Sequence, residues 1–281
     1  MPMLPPVSKK ATGWKLFWMT VYGRAYPRLV GQQREKSWMF FDIFFPMLSV
    51  CAYVFVYRAI KAPEDYIGFV VVGGAMTAFW MNILWSMSSQ LYWEKQAGNL
   101  ALYIVSPAPM PAILLGMSLG GLVATTIRAF IVVLLGSLLF QVNYAVTNFW
   151  MLLAIFFVSM VALYGMGMMT ASLFLLFNRE AWHIANLAQE PIYLVSGFYF
   201  PIKSLNFWVA MGASIIPLTL GLDAMRQLVF ASGASLGFLS VNLELAILIV
   251  LCFVFVIAAR YLLAYIEKLA VREGRLTEGR R

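Results

Sequence analysis

The sequence predicts an all-α integral membrane protein with six transmembrane helices. Of its 281 residues, 62% are hydrophobic and 11% are charged, and the mean hydropathy is +0.83. Soluble domains are nearer about 45–50% apolar and about 25% charged. Several apolar runs also reach the roughly 20 residues that a helix needs to cross a hydrocarbon core of about 30 Å. Backbone exposed to lipid must satisfy its own hydrogen bonds, so these runs are predicted to be helices.

Six apolar segments are long enough to cross. They are residues 38–57, 66–89, 111–140, 149–177, 181–200 and 241–265. The third and fourth are longer than a perpendicular crossing needs, which predicts tilt or projection beyond the bilayer. The chain is therefore divided into an N-terminal region (1–37), a transmembrane domain (38–265) and a basic tail (266–281).

Orientation follows from the basic residues, because loops rich in Lys and Arg normally face the cytoplasm. One side carries Lys9, Lys10, Lys15, Arg24, Arg28, Arg34, Lys36, Lys95, Arg179, Arg260, Lys268, Arg272, Arg275, Arg280 and Arg281. The other carries Arg58, Lys61, Lys203 and Arg226. This asymmetry predicts a multi-pass protein of the cell membrane with both termini in the cytoplasm.

The segment 14–30 predicts an amphipathic helix along the cytoplasmic headgroups. Its apolar stripe consists of Trp14, Phe17, Trp18, Val21 and Tyr22. Pro27 is expected to end or bend it. The formal charge of +8 indicates attraction to anionic membrane lipids rather than nucleic acid, because acidic residues dilute the basic tail.

A short apolar stretch, LALYIV, interrupts the polar loop 94–110 between the second and third spans. Asn99 suits the N-cap of a helix over 100–105, and Pro107 would end it. Pro111 suits the first turn of the next span. Six residues cannot cross a membrane, so the stretch either binds a partner protein or rests on lipid.

Signatures of catalysis are missing from the sequence. No G-x-x-x-x-G-K-[ST] phosphate loop occurs, so this chain is not expected to hydrolyse ATP. His183 is the single histidine, and Cys51 and Cys252 lie inside apolar runs. We therefore expect no metal site and no cofactor bound by this chain.

Charged residues inside apolar spans are candidates for function. Arg128 and Glu190 either pair with each other between helices or line a translocation path. Asp42, near the start of the first span, is expected to stay hydrated. Asp223 and Arg226 lie three residues apart and can share a helix face, which allows a weak local ion pair.

Two motifs resemble ABC-2 type exporter permeases, the membrane subunits of ABC transporters that include daunorubicin-type drug exporters and polysaccharide exporters. The first is E-K-x-x-G-x-L-x-x-x-x-V-S-P followed by I-L-L-G. Its residues here are Glu94, Lys95, Gly98, Leu100, Ser106, Pro107, Leu114, Leu115 and Gly116. The second is SGFYFPI with IIPLTLGLDAMRQLVF, which carries Pro217, Leu218, Asp223, Ala224 and Arg226. The resemblance covers essentially the whole chain.

This resemblance implies a cytoplasmic coupling helix within about 94–110 that docks into a separate ATPase. The inserted residues would be Leu100, Leu102, Tyr103 and Ile104, with Glu94 and Lys95 as charged neighbours. It also implies an outer-leaflet re-entrant helical hairpin at about 198–230 that contains Pro217, Asp223 and Arg226. Two ATPase copies would bind the ATP and Mg.

The implied function is export of an amphipathic substrate, namely a drug, a lipid or a lipid-linked glycan, from the cytoplasm or inner leaflet. The permease would pair with a second copy as a homodimer or with a sister permease. Two alternatives remain at this point. A membrane enzyme acting on lipid would need a clustered catalytic set, and an ATPase-independent channel or carrier would favour internal repeats.

Overall fold

The computed structural model describes residues 13–177 and 179–273, and within them the regular structure is helical. The helices are α1 (Gly13–Arg34), α2 (Lys36–Ala59), α3 (Asp65–Met81), α4 (Gln90–Gln96), α5 (Asn99–Val105), α6 (Met110–Phe140), α7 (Phe149–Phe177), α8 (Arg179–Val195), α9 (Phe207–Ala213), α10 (Pro217–Val229), α11 (Gly233–Leu236) and α12 (Val241–Glu273). A π-helical turn, Asn82–Met87, joins α3 to α4. The predicted all-α class is confirmed.

Five helical stretches in the described part of the chain are long and apolar enough to span a membrane. They are Lys36–Ala59, Asp65–Gln96, Met110–Phe140, Phe149–Ser172 and Val241–Tyr265. Five of the six predicted spans correspond to them. The pair α9 and α10, bent by 109°, makes a sixth candidate if it is counted as one broken span.

The predicted fifth span, 181–200, differs from expectation. Its helix, α8, has 17 residues and ends at Val195, so at 1.5 Å per residue it is only about 25 Å long. Polar residues such as Gln189 and Glu190 make it amphipathic rather than uniformly apolar. After α8 the chain turns at Gly197, whose φ of +69° is a left-handed conformation that suits glycine.

The helix α3 forms the centre of the bundle. In an 18-residue apolar stretch of the span Asp65–Gln96, 78% of the residues are buried inside the protein, against 17% in the corresponding stretches of α2 and α12. We call the continuous helical stretch from α3 to α4 the rod. Its residues Phe69, Phe79 and Ile83 belong to the main apolar core, together with Leu163 of α7 and Phe198. The outer faces of α2 and α12 are rich in exposed apolar side chains, as expected for helices that face lipid.

Close glycine contacts fasten α1 to α6. A Cβ at Gly116 would lie 2.4 Å from the carbonyl oxygen of Val21, and one at Gly120 would lie 2.5 Å from that of Ala25. The missing side chains at these two positions let the helices approach closely. Pro27 does not end α1, which continues to Arg34 along α6.

The helix α10 is buried over its whole length. Gly221 packs against Ser159 in the middle of α7, whereas the carbonyl oxygens of Leu228 and Val229 accept hydrogen bonds from the 141–148 loop. Thus α10 runs from the bundle interior to the end that carries this loop, which we call the hairpin end. The opposite end, where α4 and α5 lie, we call the α5 end.

Candidate functional site

Glu94 organises the α5 end. Its carboxylate accepts hydrogen bonds from Gln90 Nε2 (2.9 Å), Asn99 Nδ2 (2.9 Å) and the Tyr103 hydroxyl (2.8 Å). One side chain of α4 therefore holds α5 in place. The predicted N-cap role of Asn99 is wrong, because Gly98 precedes α5 with φ +76° and Asn99 is already helical and donates to Glu94.

Tyr103 is a core residue. Its side chain is 6% exposed and packs with Leu91, Ile113 and Leu114. The Arg24 guanidinium of α1 lies 4.4 Å from the ring centroid, a cation–π contact. Burial, reinforced by the Glu94 carboxylate, raises the pKa of the Tyr103 hydroxyl to about 12. Tyr103 was expected to insert into a partner, and here its ring is packed within this chain.

Two apolar side chains of α5 project outward. Leu102 is 68% exposed and Val105 is 86% exposed. They are three residues apart and so share one helix face. Leu102 was expected there, whereas Val105 was missed, although its spacing from Leu102 indicates the same face. Lys95 lies half-buried in the last turn of α4. The side chains of Leu100 and Ile104 lie outside the described residues.

A cavity of about 1,070 Å³ opens between α1, α2, α3, α6 and α8. Arg128, Asp42 and Glu190 line it, and so do aromatic rings, among them Trp38 and Tyr193. This volume is slightly larger than the roughly 300–1,000 Å³ of small-molecule sites. The combination of rings and charges makes the cavity amphipathic.

The ion pair on the cavity wall differs from the predicted one. Arg128 Nη1 of α6 contacts Asp42 Oδ2 of α2, so the interhelical partner of Arg128 is Asp42 and not Glu190. The reason is topological: α2 packs directly on α6, whereas Glu190 of α8 is exposed and lines the same cavity. Asp42 is 40% exposed, in keeping with its expected hydration.

Arg226 fastens α10 to its surroundings. Its guanidinium donates to the carbonyl oxygens of Gly197 (2.6 Å), Phe198 (2.6 Å), Phe69 (2.7 Å) and Phe200 (3.3 Å). These oxygens belong to α3 and to the segment after α8. One buried side chain therefore joins three parts of the chain at the hairpin end.

Asp223 and Arg226 do not form the local ion pair that their spacing allows. Asp223 accepts from the Phe238 backbone N–H (2.8 Å) and from Gln227 Nε2 (3.2 Å). Gln227 Nε2 also donates to Glu244 (3.1 Å), a fully buried carboxyl of α12 that was not predicted to contribute. Asp223 and Arg226 of the second motif therefore bind different partners. Pro217 of the same motif lies in the first turn of α10.

No group of three His, Cys, Asp or Glu side chains suited to a metal ion occurs in the part of the chain that the structure covers. His183 is exposed on α8. In the described residues, Cys51 and Cys252 are free thiols on α2 and α12.

Comparison with known proteins agrees with these features. The profile of the ABC-2 type transporter family matches residues 28–230. Among curated proteins, the probable multidrug ABC transporter permease YbhR of Escherichia coli K12 is 26% identical over 176 residues, which cover 61% of this chain and 46% of that protein. The protein of the same name in Escherichia coli O157:H7 matches equally.

The chain spans just under half the length of these relatives. The family match, in contrast, includes the end of α1 from Arg28 onward, α3 and α4, nearly all residues that line the cavity, and α10. Because the match covers more than half of the sequence and the apolar helices are long enough to span a membrane, the chain belongs to the ABC-2 type transporter family and is a multi-pass transmembrane permease subunit.

Proposed function

We propose that this chain is the permease of an ATP-driven exporter that moves an amphipathic substrate out of the cytoplasm or inner leaflet. The substrate is a drug, a lipid or a lipid-linked glycan. The observation that carries the proposal is the construction of α5, which is anchored inward through Tyr103 and presents Leu102 and Val105 outward. The ATPase binds ATP and Mg, and this chain carries no hydrolytic chemistry of its own.

The anchoring of α5 suits the transfer of force. A helix of seven residues is marginal by itself, but Glu94 and Arg24 connect this one to α4 and α1 through Tyr103. A partner that seats Leu102 and Val105 would therefore push on the bundle rather than on a loose loop. Exposed apolar side chains held in fixed positions are typical of protein interaction sites.

The cavity supports an amphipathic substrate. Its aromatic rings can contact apolar groups, while Arg128, Asp42 and Glu190 supply polar contacts from α6, α2 and α8. We further propose two ATPase copies, a second permease chain (an identical copy or a sister permease) and cytoplasmic termini. The basic residues at the α5 end support this orientation.

The test is co-purification with the candidate ATPase in mild detergent. We expect the wild type to retain the ATPase and the double variant Leu102→Asp, Val105→Asp to lose it, because two carboxylates would enter an apolar groove. Tyr103 stays intact, so the core beneath α5 is unchanged. Val146→Asp is the matched control, since Val146 is 47% exposed in the loop at the hairpin end.

All three proteins should elute as single species with similar thermal stability. A double variant that holds as much ATPase as wild type would contradict docking through α5. Loss of the ATPase in Val146→Asp as well would mean that α5 has no specific part in binding.

A further inference from the structure

The rod from α3 to α4 contains one irregular turn. Within Asn82–Met87 the helix widens, and the Ser88 N–H donates to the carbonyl oxygen of Ile83 five residues earlier (2.9 Å). Such π-helical turns are rare, bend helices and recur at functional sites. This one separates Glu94, which holds α5, from Met81 and Thr77, which line the cavity.

The rod is anchored differently on the two sides of the turn. Towards the hairpin end, Arg226 holds the carbonyl oxygen of Phe69 at 2.7 Å, and Phe69 to Trp80 are buried without a break. Towards the α5 end, α4 is short and its Trp93 and Gln96 are exposed. The part of α3 towards the hairpin end is thus more deeply buried than the outer face of α4.

Side chains of α1 hold the irregular turn from one side. Arg28 donates to both the hydroxyl and the backbone carbonyl (3.4 Å) of Ser86, and Gln32 Nε2 lies 3.4 Å from the same hydroxyl. Arg24, one turn before Arg28, covers the Tyr103 ring of α5. One face of α1 thus touches both α5 and the π-helical turn.

Other helices hold the turn from the opposite sides. Trp85 Nε1 donates to Gln189 Oε1 of α8 (3.0 Å), and the Tyr164 hydroxyl of α7 donates to Asn82 Oδ1 (3.1 Å). Asn82, Trp85 and Ser86 all line the large cavity. Any change in the turn therefore alters the wall against which a substrate would lie.

We propose that the π-helical turn Asn82–Met87 is the hinge through which movement of α5 reshapes the cavity, and that Arg28 is the positioning residue that ties this hinge to α1. The inference rests on the proposed coupling to an ATPase and assigns the internal route of that coupling. Because a π-helical turn has less regular hydrogen bonding than the flanking α-helix, it absorbs bending at lower cost. The Arg28–Ser86 contact then makes the hinge and α1 move together.

The test places a reporter on each side of the hinge in the full permease–ATPase complex. Cys51 and Cys252 are replaced by Ser, and Met81→Cys or Gln96→Cys is labelled with an environment-sensitive maleimide dye. Met81 lines the cavity and Gln96 lies exposed at the end of α4. The probe added is a non-hydrolysable ATP analogue with Mg. In an otherwise wild-type complex we expect both dyes to change their fluorescence.

In Arg28→Ala we expect the Gln96 dye to respond as before and the Met81 response to be lost. Ser86→Ala, which removes only the hydroxyl acceptor, should reduce the Met81 response in the same direction. Arg34→Ala is the matched control, because Arg34 lies exposed on the same helix and its loss removes the same charge. It should leave both responses unchanged.

A full Met81 response in both Arg28→Ala and Ser86→Ala overturns the hinge while leaving ATPase coupling intact. Loss of ATPase binding in Arg28→Ala also overturns it, since Arg28 would then support docking rather than transmission. If the Gln96 dye of the wild-type complex does not respond, α5 is not moved by nucleotide, and the proposed coupling falls together with the hinge.

Discussion

The hydrogen bonds of Arg226 allow us to predict how much stability the protein loses when this side chain is replaced. Replacing Arg226 by Leu places an apolar side chain in this buried position and removes all four hydrogen bonds. Three of the lost hydrogen bonds, to Gly197, Phe198 and Phe69, are 2.6–2.7 Å long. A buried carbonyl left without a donor costs about 1–3 kcal/mol. Gly197 and Phe198 would lose such a donor, whereas the Phe69 oxygen keeps its partner within α3, so we expect a loss of about 4 kcal/mol, estimated from the same range.

Each kcal/mol lowers the melting temperature of a domain of this size class by roughly 2–4 °C. The expected decrease for Arg226→Leu is therefore about 8–16 °C, measured by thermal unfolding of the detergent-solubilised protein with size-exclusion detection. The melting temperature of Arg226→Lys should lie between those of the wild type and Arg226→Leu, because one ammonium group cannot reach oxygens on both α3 and the segment after α8.

The matched control is Arg58→Leu. Arg58 is exposed, and its guanidinium lies 5.6 Å from the Phe140 ring centroid, a contact of about 0.5–1 kcal/mol. Its loss should change the melting temperature by no more than about 4 °C. If Arg226→Leu melts as close to wild type as this control does, the four carbonyl contacts do not stabilise the hairpin end, and the reasoning fails.

Two further predictions concern helix contacts. A double-mutant cycle of Asp42→Asn and Arg128→Gln, followed by thermal unfolding, should give a coupling energy of about 1–3 kcal/mol, because either single change leaves one charge unpaired on the cavity wall. Additive effects of the two changes would contradict an ion pair between these residues. Gly116→Ala should destabilise by about 1–3 kcal/mol and speed hydrogen exchange in α1, because the new Cβ meets Val21 O at 2.4 Å. Gly23→Ala, with nothing within 4 Å of its Cβ, should be neutral or stabilising, and equal behaviour of the two variants would refute close packing.

The lengths of the apolar runs predict most of the fold. The third and fourth spans begin and end within one residue of their predicted positions, at Met110–Phe140 and Phe149–Phe177. Pro111 lies in the first turn of α6 as expected. These features are local, because helix length and start signals depend on neighbours in the sequence. The glycines of α6 also indicate close helix packing, but the sequence does not show that α1 is the helix that packs against them.

The residues of the candidate site are predicted less well. The loop 94–110 was recognised from its motif, yet the direction of its side chains was not, since Tyr103 turns inward and Val105 outward. Six apolar residues in a row carry no polar face that could indicate which side is buried. The Tyr103 side chain points inward because it contacts Arg24 and Glu94, and Arg24 is distant in the sequence.

By itself, the sequence determined the membrane class, the bounds of the third and fourth spans and the positions of both motifs, because hydrophobic length and local start and stop signals act within one segment. Only the tertiary structure decided that Arg128 pairs with Asp42, that Arg226 binds backbone carbonyls, and that Arg28 holds a π-helical turn. A buried charge must find a partner, but which partner it finds depends on which helices pack side by side. That choice is made by contacts between residues far apart in the chain.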